Sequence, residues 1–207
     1  MSQLALSSSS FRSTVVRHAT VLTTVPARAP ACASCGARNS CLRHIDGESD
    51  RHEPVARPVR VHKGDVLVRD GDSFRGLITI RLGSCKSVVT TAGGSVQITG
   101  YHISGDLIGA GAIFTNRYDS TVIALEDTEF CVIPLERIDS FARENPQVHH
   151  KLHALLSREF GRERKVMLML GMMRAEQRLV SFLLDLADRY AARGYSAREF
   201  LLRMTRE

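Results

Sequence analysis

Between His62 and Pro134 the sequence is cut by Gly-centred turn signals about every ten residues, and after Pro134 the cutting stops. This change of period constrains the fold more than any other feature. "VLV" precedes "DGD", "LITIRL" precedes "GSC", "KSVVTT" precedes "AGG" and "VQITGYHI" precedes "SGD". Short strands at this spacing predict an all-β roll or sandwich. Leu77, Thr79 and Arg81 alternate with Ile78, Ile80 and Leu82, which sends one row inward. Three Gly-Asp pairs, Gly64-Asp65, Gly71-Asp72 and Gly105-Asp106, suit tight turns. Glycine tolerates positive φ there, and the aspartate can bond the local backbone.

Past Pro134 the apolar residues take helical spacing. "LERIDSFARENP" predicts a short helix stopped by Pro146, which is placed to open the next one. That second helix runs from about Gln147 to Leu170. Leu152, Leu156, Phe160, Glu163, Met167 and Leu170 fall at spacings of 3 and 4 along one stripe. A core-facing helix would account for such a stripe. Two features favour a helix-pairing seam instead: the helix is too long for a small roll to cover, and Glu163 stands where a core helix would place an aliphatic residue. "RAEQRLVSFLLDLADRYAARGY" gives a further amphipathic helix, with Leu179, Phe182, Leu183 and Leu186 inward and Gly194 as its stop. Ser196 and Glu199 match a capping box at the entrance to another helical segment.

Of 207 residues, 43% are hydrophobic and none is tryptophan, so the core is expected to be aliphatic. A net charge of +6 favours polyanionic partners. No stretch approaches the roughly 18 apolar residues of a membrane span. Residues 1–28 are rich in Ser, Thr, Arg and Ala without a compact apolar segment, and read as a flexible basic tail. The five cysteines are an odd number without a secretion signal. A disulfide scaffold is therefore not expected, and a cytoplasmic location with metal or redox chemistry is.

Three of the five cysteines share "CASCGARNSC", at the spacing C-x2-C-x5-C. A C-x2-C pair reverses the chain and aims both sulfurs at one centre. Three chemistries fit. A zinc knuckle could add His44, and an iron–sulfur cluster could take a fourth thiolate from Cys85 or Cys131. The thiols could also act in redox chemistry without metal.

A cysteine-rich loop, a Gly-punctuated roll, a long seam helix and a following basic helix together resemble the CRP/FNR family of bacterial transcription regulators, in its oxygen-responsive FNR branch. The resemblance lies in "ACASCGARNSCL", "SVQITGYHISGDLIGAGAI", "EFCVIPLERID" and "RAEQRLVSFLLDLADRYAARGYSAREFLLRMTR". It implies an α+β fold: a cyclic-nucleotide-binding-type β-roll (a double-stranded β-helix), then a long dimerisation helix, then the start of a truncated winged helix-turn-helix domain. The implied division is a basic tail at 1–28, a cluster-binding loop at 29–52, a sensor roll at 53–145, a dimerisation helix at 146–171 and the beginning of a DNA-binding domain at 172–207, without its recognition helix.

The resemblance further implies that Cys32, Cys35, Cys41 and Cys131 hold a [4Fe–4S] cluster, leaving Cys85 as a small buried residue. Gly36, after the second ligand, would leave the cluster open to oxygen. The stripe from Leu152 to Leu170 would be the dimer seam of a homodimer, with Glu163 facing its symmetry mate and keeping pairing marginal. DNA is the expected partner of a full-length form. RNA polymerase is a candidate partner through "TTAGGSVQITG", although Ser95 stands where the family has an acidic residue. The alternative is a thiol-disulfide or zinc-binding regulator without iron. A cyclic nucleotide is not expected: Asp106 replaces a glutamate in "GDLIGAGAIFTNRYDST", and Tyr118 and Asp119 follow Arg117 where a phosphate would lie. Nor is an enzyme, because His62 and His102 read as isolated surface residues.

Overall fold

A computed structural model describes residues 23–24, 35, 37, 41, 58–144 and 146–204. The strands are β1 (Thr23–Thr24), β2 (Pro58–Val61), β3 (Val66–Val68), β4 (Leu77–Leu82), β5 (Ser84–Thr90), β6 (Val96–Ile103), β7 (Leu107–Ile108), β8 (Thr121–Ala124) and β9 (Thr128–Ile133). The helices are α1 (Ala112–Thr115), α2 (Leu135–Glu144), α3 (Pro146–Met172) and α4 (Ala175–Ala191). Two antiparallel sheets, ordered β1-β2-β9-β4-β7 and β3-β8-β5-β6, face one another as a roll.

The three Gly-Asp turns share one geometry. Gly64, Gly71 and Gly105 have φ of 88°, 81° and 87°, which only glycine adopts freely. Each following aspartate donates its backbone N–H to the carbonyl three residues back. Its carboxylate accepts the N–H of that same residue: His62 at 2.9 Å, Arg69 at 2.8 Å and Ile103 at 2.8 Å.

The alternation in β4 holds, but it does not leave a wet face. Ile78 and Ile80 point into the roll with Phe130, Val122 and Cys85. Leu77 belongs instead to an outer cluster with Leu107, Ile133, Ile138, Leu152 and Leu155, where α2 and α3 cover the sheet. The strand is therefore buried on both faces until Arg81. Leu82 is exposed, beyond a register shift against β9. Removing a side chain such as Phe130 from this packing costs about 3–5 kcal/mol.

Pro146 opens α3 as expected, and the helix runs on past Leu170 to Met172. α4 turns Phe182, Leu186 and Tyr190 onto Tyr101, Ile103 and Leu125 of the roll. Leu179, expected inward, is exposed because the inward face of α4 shifts towards its C-terminal half. Gly194 has φ of 81° and follows the helix end as predicted. Ser196 Oγ accepts the N–H groups of Arg198 and Glu199, but the described residues after it form no helix. Within the segment read as a flexible tail, Thr23–Thr24 pair with β2 at the sheet edge. Among the described residues no helix is long and apolar enough to cross a membrane.

Candidate functional site

β9 carries Cys131 between two differently used faces. Phe130 and Val132 lie opposite Ile80 and Ile78 and serve the roll interior. Cys131 lies opposite Thr79 on β4 and Pro58 on β2, with Leu77 and Ile133 as the next pair along. By strand alternation Cys131 therefore belongs to the outer face. Cys41 packs against the outer cluster that contains Leu77 and Ile133. Cys41 of the loop and Cys131 of the strand thus share one side of the sheet. Cys35 is half-buried, while Cys32 and Gly36 lie outside the described residues. Among the described residues no three His, Cys, Asp or Glu side chains converge as a metal site.

Two further groups lie on either side of this sheet. Thr79 is buried, and its Oγ1 has no hydrogen-bond partner among the described residues. Cys85 lies inside the roll, fully buried, and burial pushes its thiol up to about 12. It is held as a thiol, not a thiolate.

The expected seam residues divide along α3. Leu152 and Leu156 pack on the outer cluster of the roll. Phe160, Met167 and Leu170 are 54%, 69% and 43% exposed. Glu163 lies between them at the edge of a cavity of about 350 Å³, which runs between β5–β6, the turn after β7, and helices α3 and α4. The carboxylates of Asp119, Glu159 and Glu163 line it, as do Arg162 and Arg189.

The sequence reading missed what lies behind Arg162 and Arg189 in the wall of this cavity. Asp106 is fully buried. Its carboxylate does not face a ligand as a cyclic-nucleotide glutamate would; it accepts from three arginines. Arg162 of α3 donates at 3.0 Å, Arg193 at 2.5 Å, and Arg189 of α4 through Nη2. Burial alone would raise the Asp106 carboxyl, but the guanidiniums, Arg189 foremost, bring it down to about 2. Arg162 also donates to Glu159 at 2.9 Å. Burial lifts Glu159 to about 7 in spite of that contact. A signal for the cluster was present: Arg189 and Arg193 continue, at a spacing of four, the stripe of Phe182 and Leu186, where cations require a buried acid.

His102, expected at the surface, is buried beside this cluster, and Ser87 Oγ lies 2.6 Å from its Nε2. Burial holds its imidazole down at about 4, so it is neutral. β6 places it over β5, a long-range packing that one strand's pattern does not carry. His62 is exposed, as read. Arg117 donates to the Gly71 carbonyl at 2.8 Å, and Tyr118 is buried with its hydroxyl on the Gly76 carbonyl at 2.8 Å.

The family described as "Cyclic nucleotide-binding domain" matches residues 58–145. The chain is 37% identical over 179 residues to the transcriptional regulatory protein btr of Bordetella pertussis, covering 85% of this chain and 74% of that protein. It is 35% identical over 178 residues to the transcriptional activator protein anr of Pseudomonas aeruginosa, covering 84% and 73%. The solved structure of FixK2 from Bradyrhizobium japonicum shares the fold, with a TM-score of 0.65 at 24% identity over 74% of each chain. A two-sheet roll, the long helix after it and these relatives over most of the length agree: the chain belongs to the CRP/FNR family of transcription regulators, in its FNR branch.

Proposed function

We propose that this regulator senses oxygen through a [4Fe–4S] cluster held by Cys32, Cys35, Cys41 and Cys131, and that the cluster governs pairing of two copies along α3 and thereby DNA binding. The observation that carries the reading is the shared outer face: Cys41 docks on the cluster beside which β9 presents Cys131. The donor set suits the group, since thiolates are the ligands iron–sulfur clusters take. The orphaned Thr79 hydroxyl, across from Cys131, is a donor placed to bond a thiolate sulfur. Cys85 is excluded as a ligand by its place inside the roll.

When bound, the cluster supplies an oxygen-labile bridge. The chain's own part is mechanical. Cys131 fixes one end on a rigid strand, while Cys41 ties the loop to the cluster of side chains that also seats Leu152 and Leu155 of α3. Loosening the loop therefore disturbs the base of the helix whose far half exposes Phe160, Met167 and Leu170. Those residues form the seam, and Glu163 within it opposes its mate by on the order of 1 kcal/mol at a partly wet surface. Pairing is thereby kept near balance, which a switch requires. The four carboxylates around the neighbouring cavity, Asp119, Glu159, Glu163 and Asp185, outnumber its two arginines and disfavour a phosphate, which speaks against a cyclic nucleotide as the signal. The exposed turn between β5 and β6, with Ser95, is the candidate contact for RNA polymerase.

Anaerobically purified protein should be brown, carry iron and sulfide for one cluster per chain, and bleach in air. Cys131→Ser should lose the cluster while Cys85→Ser keeps it, and sedimentation should show more dimer with the cluster than without. Colourless protein holding one zinc per chain after anaerobic reconstitution would replace this reading with that of a zinc regulator.

A further inference from the structure

The buried charge centre joins three separate parts of the chain. Asp106 sits in the turn between β6 and β7, Arg162 midway along α3, and Arg189 at the end of α4, with Arg193 one turn beyond it. Arg189 Nη2 also donates to the Tyr101 carbonyl at 2.9 Å, and Arg193 Nη1 to the Arg189 carbonyl at 2.7 Å. Apart from this centre, α4 meets the roll through one apolar cluster, in which Phe182, Leu186 and Tyr190 pack on Tyr101, Ile103 and Leu125. Only Met173 and Arg174, both exposed, separate α3 from α4.

We propose that Asp106 is the keystone of a latch that holds α4 closed against the roll, and that its release is a discrete opening about the Met173–Arg174 link.

Donor arithmetic makes the latch reversible. A carboxylate offers about four acceptor sites. Asp106 fills them with the Ile103 N–H and three guanidiniums. The arginines carry more donors than that. Nε of Arg189 and Nε of Arg193 are buried with no hydrogen-bond partner among the described residues. Unsatisfied buried donors disfavour the closed state, and opening hydrates them. The adjoining cavity, lined by Arg162, Arg189 and Asp185, gives water a route to the charges. The closed state is thus held by attraction to one anion and opposed by its own surplus donors, the balance a two-state element needs. Arg162 places the same anion in contact with α3, so opening of α4 and rearrangement of the long helix are coupled through one carboxylate.

Hydrogen exchange of the full 207-residue chain tests this. Arg189→Gln with Arg193→Gln should speed exchange across α4 at least tenfold and leave β5 and β8 unchanged. Lys165→Gln, which removes only the 3.6 Å contact of an exposed lysine to Asp185, should leave α4 unchanged. If the double variant does not fold, Arg193→Gln alone should give a smaller acceleration confined to α4. Unchanged α4 exchange in a folded variant overturns the latch. Equal loss of protection in β5 and β8 overturns it too, since Asp106 would then be part of the core. Each variant is compared with wild type in the same cluster state, so failure here leaves the cluster reading standing.

Discussion

Asp72 and Asp106 occupy the same local structure with different consequences. Each follows a glycine of positive φ, and each accepts a backbone N–H at 2.8 Å from three residues back. Asp72 does so at the surface. Asp106 does so fully buried, with Arg162, Arg189 and Arg193 converging on it. The turn needs an aspartate in both places. Only the second turn lies beneath two helices, and there the same carboxylate becomes the anchor of a three-element charge centre. A local motif can therefore be reused as a long-range one when a charge partner packs over it.

Replacing each aspartate by alanine separates the two roles. Asp106→Ala should cost about 3–5 kcal/mol in urea unfolding, because it leaves guanidiniums buried without an anion. Release of α4 hydrates Arg189 and Arg193 and holds the loss towards the lower end. A loss no greater than that of Asp72→Ala would erase the distinction.

Acid sharpens it next. The Asp106 carboxyl stands at about 2 in the folded chain against an ordinary 3.8. A depressed carboxyl contributes stability that is present above the unfolded value and lost as pH falls through the folded one. Wild type should therefore lose about 2 kcal/mol more than Asp106→Asn on going from pH 4 to pH 2. Thermal unfolding at a series of pH values measures this, and parallel curves would contradict it. His102, at about 4, titrates at the upper edge of this window and is common to both proteins, while Glu159, at about 7, titrates above it.

The smallest effect belongs to Asp72→Ala, which removes one exposed side-chain-to-backbone bond. It should cost about 1 kcal/mol, with no change in the exchange of α4. A larger cost would mean that Asp72 has a tertiary role that its surroundings do not indicate.

Sequence by itself determined what is decided within a few residues. The Gly-Asp turns, the end of α2 before Pro146, the opening of α3 at that proline and the close of α4 near Gly194 all rest on local backbone geometry, and each was legible. The cysteine spacing and the order of the matched segments were enough to identify the family. Tertiary structure alone decided what each element packs against. It buried Leu77 and Thr79 on the outer face of β4, placed His102 inside, exposed Leu179, and put Cys131 on the face where Cys41 docks. It also chose Asp106 among three equivalent aspartates. The arginines that single it out lie 56, 83 and 87 residues away. A turn's geometry is fixed by the φ and ψ of its own residues, whereas burial and charge pairing depend on which distant surfaces close over it.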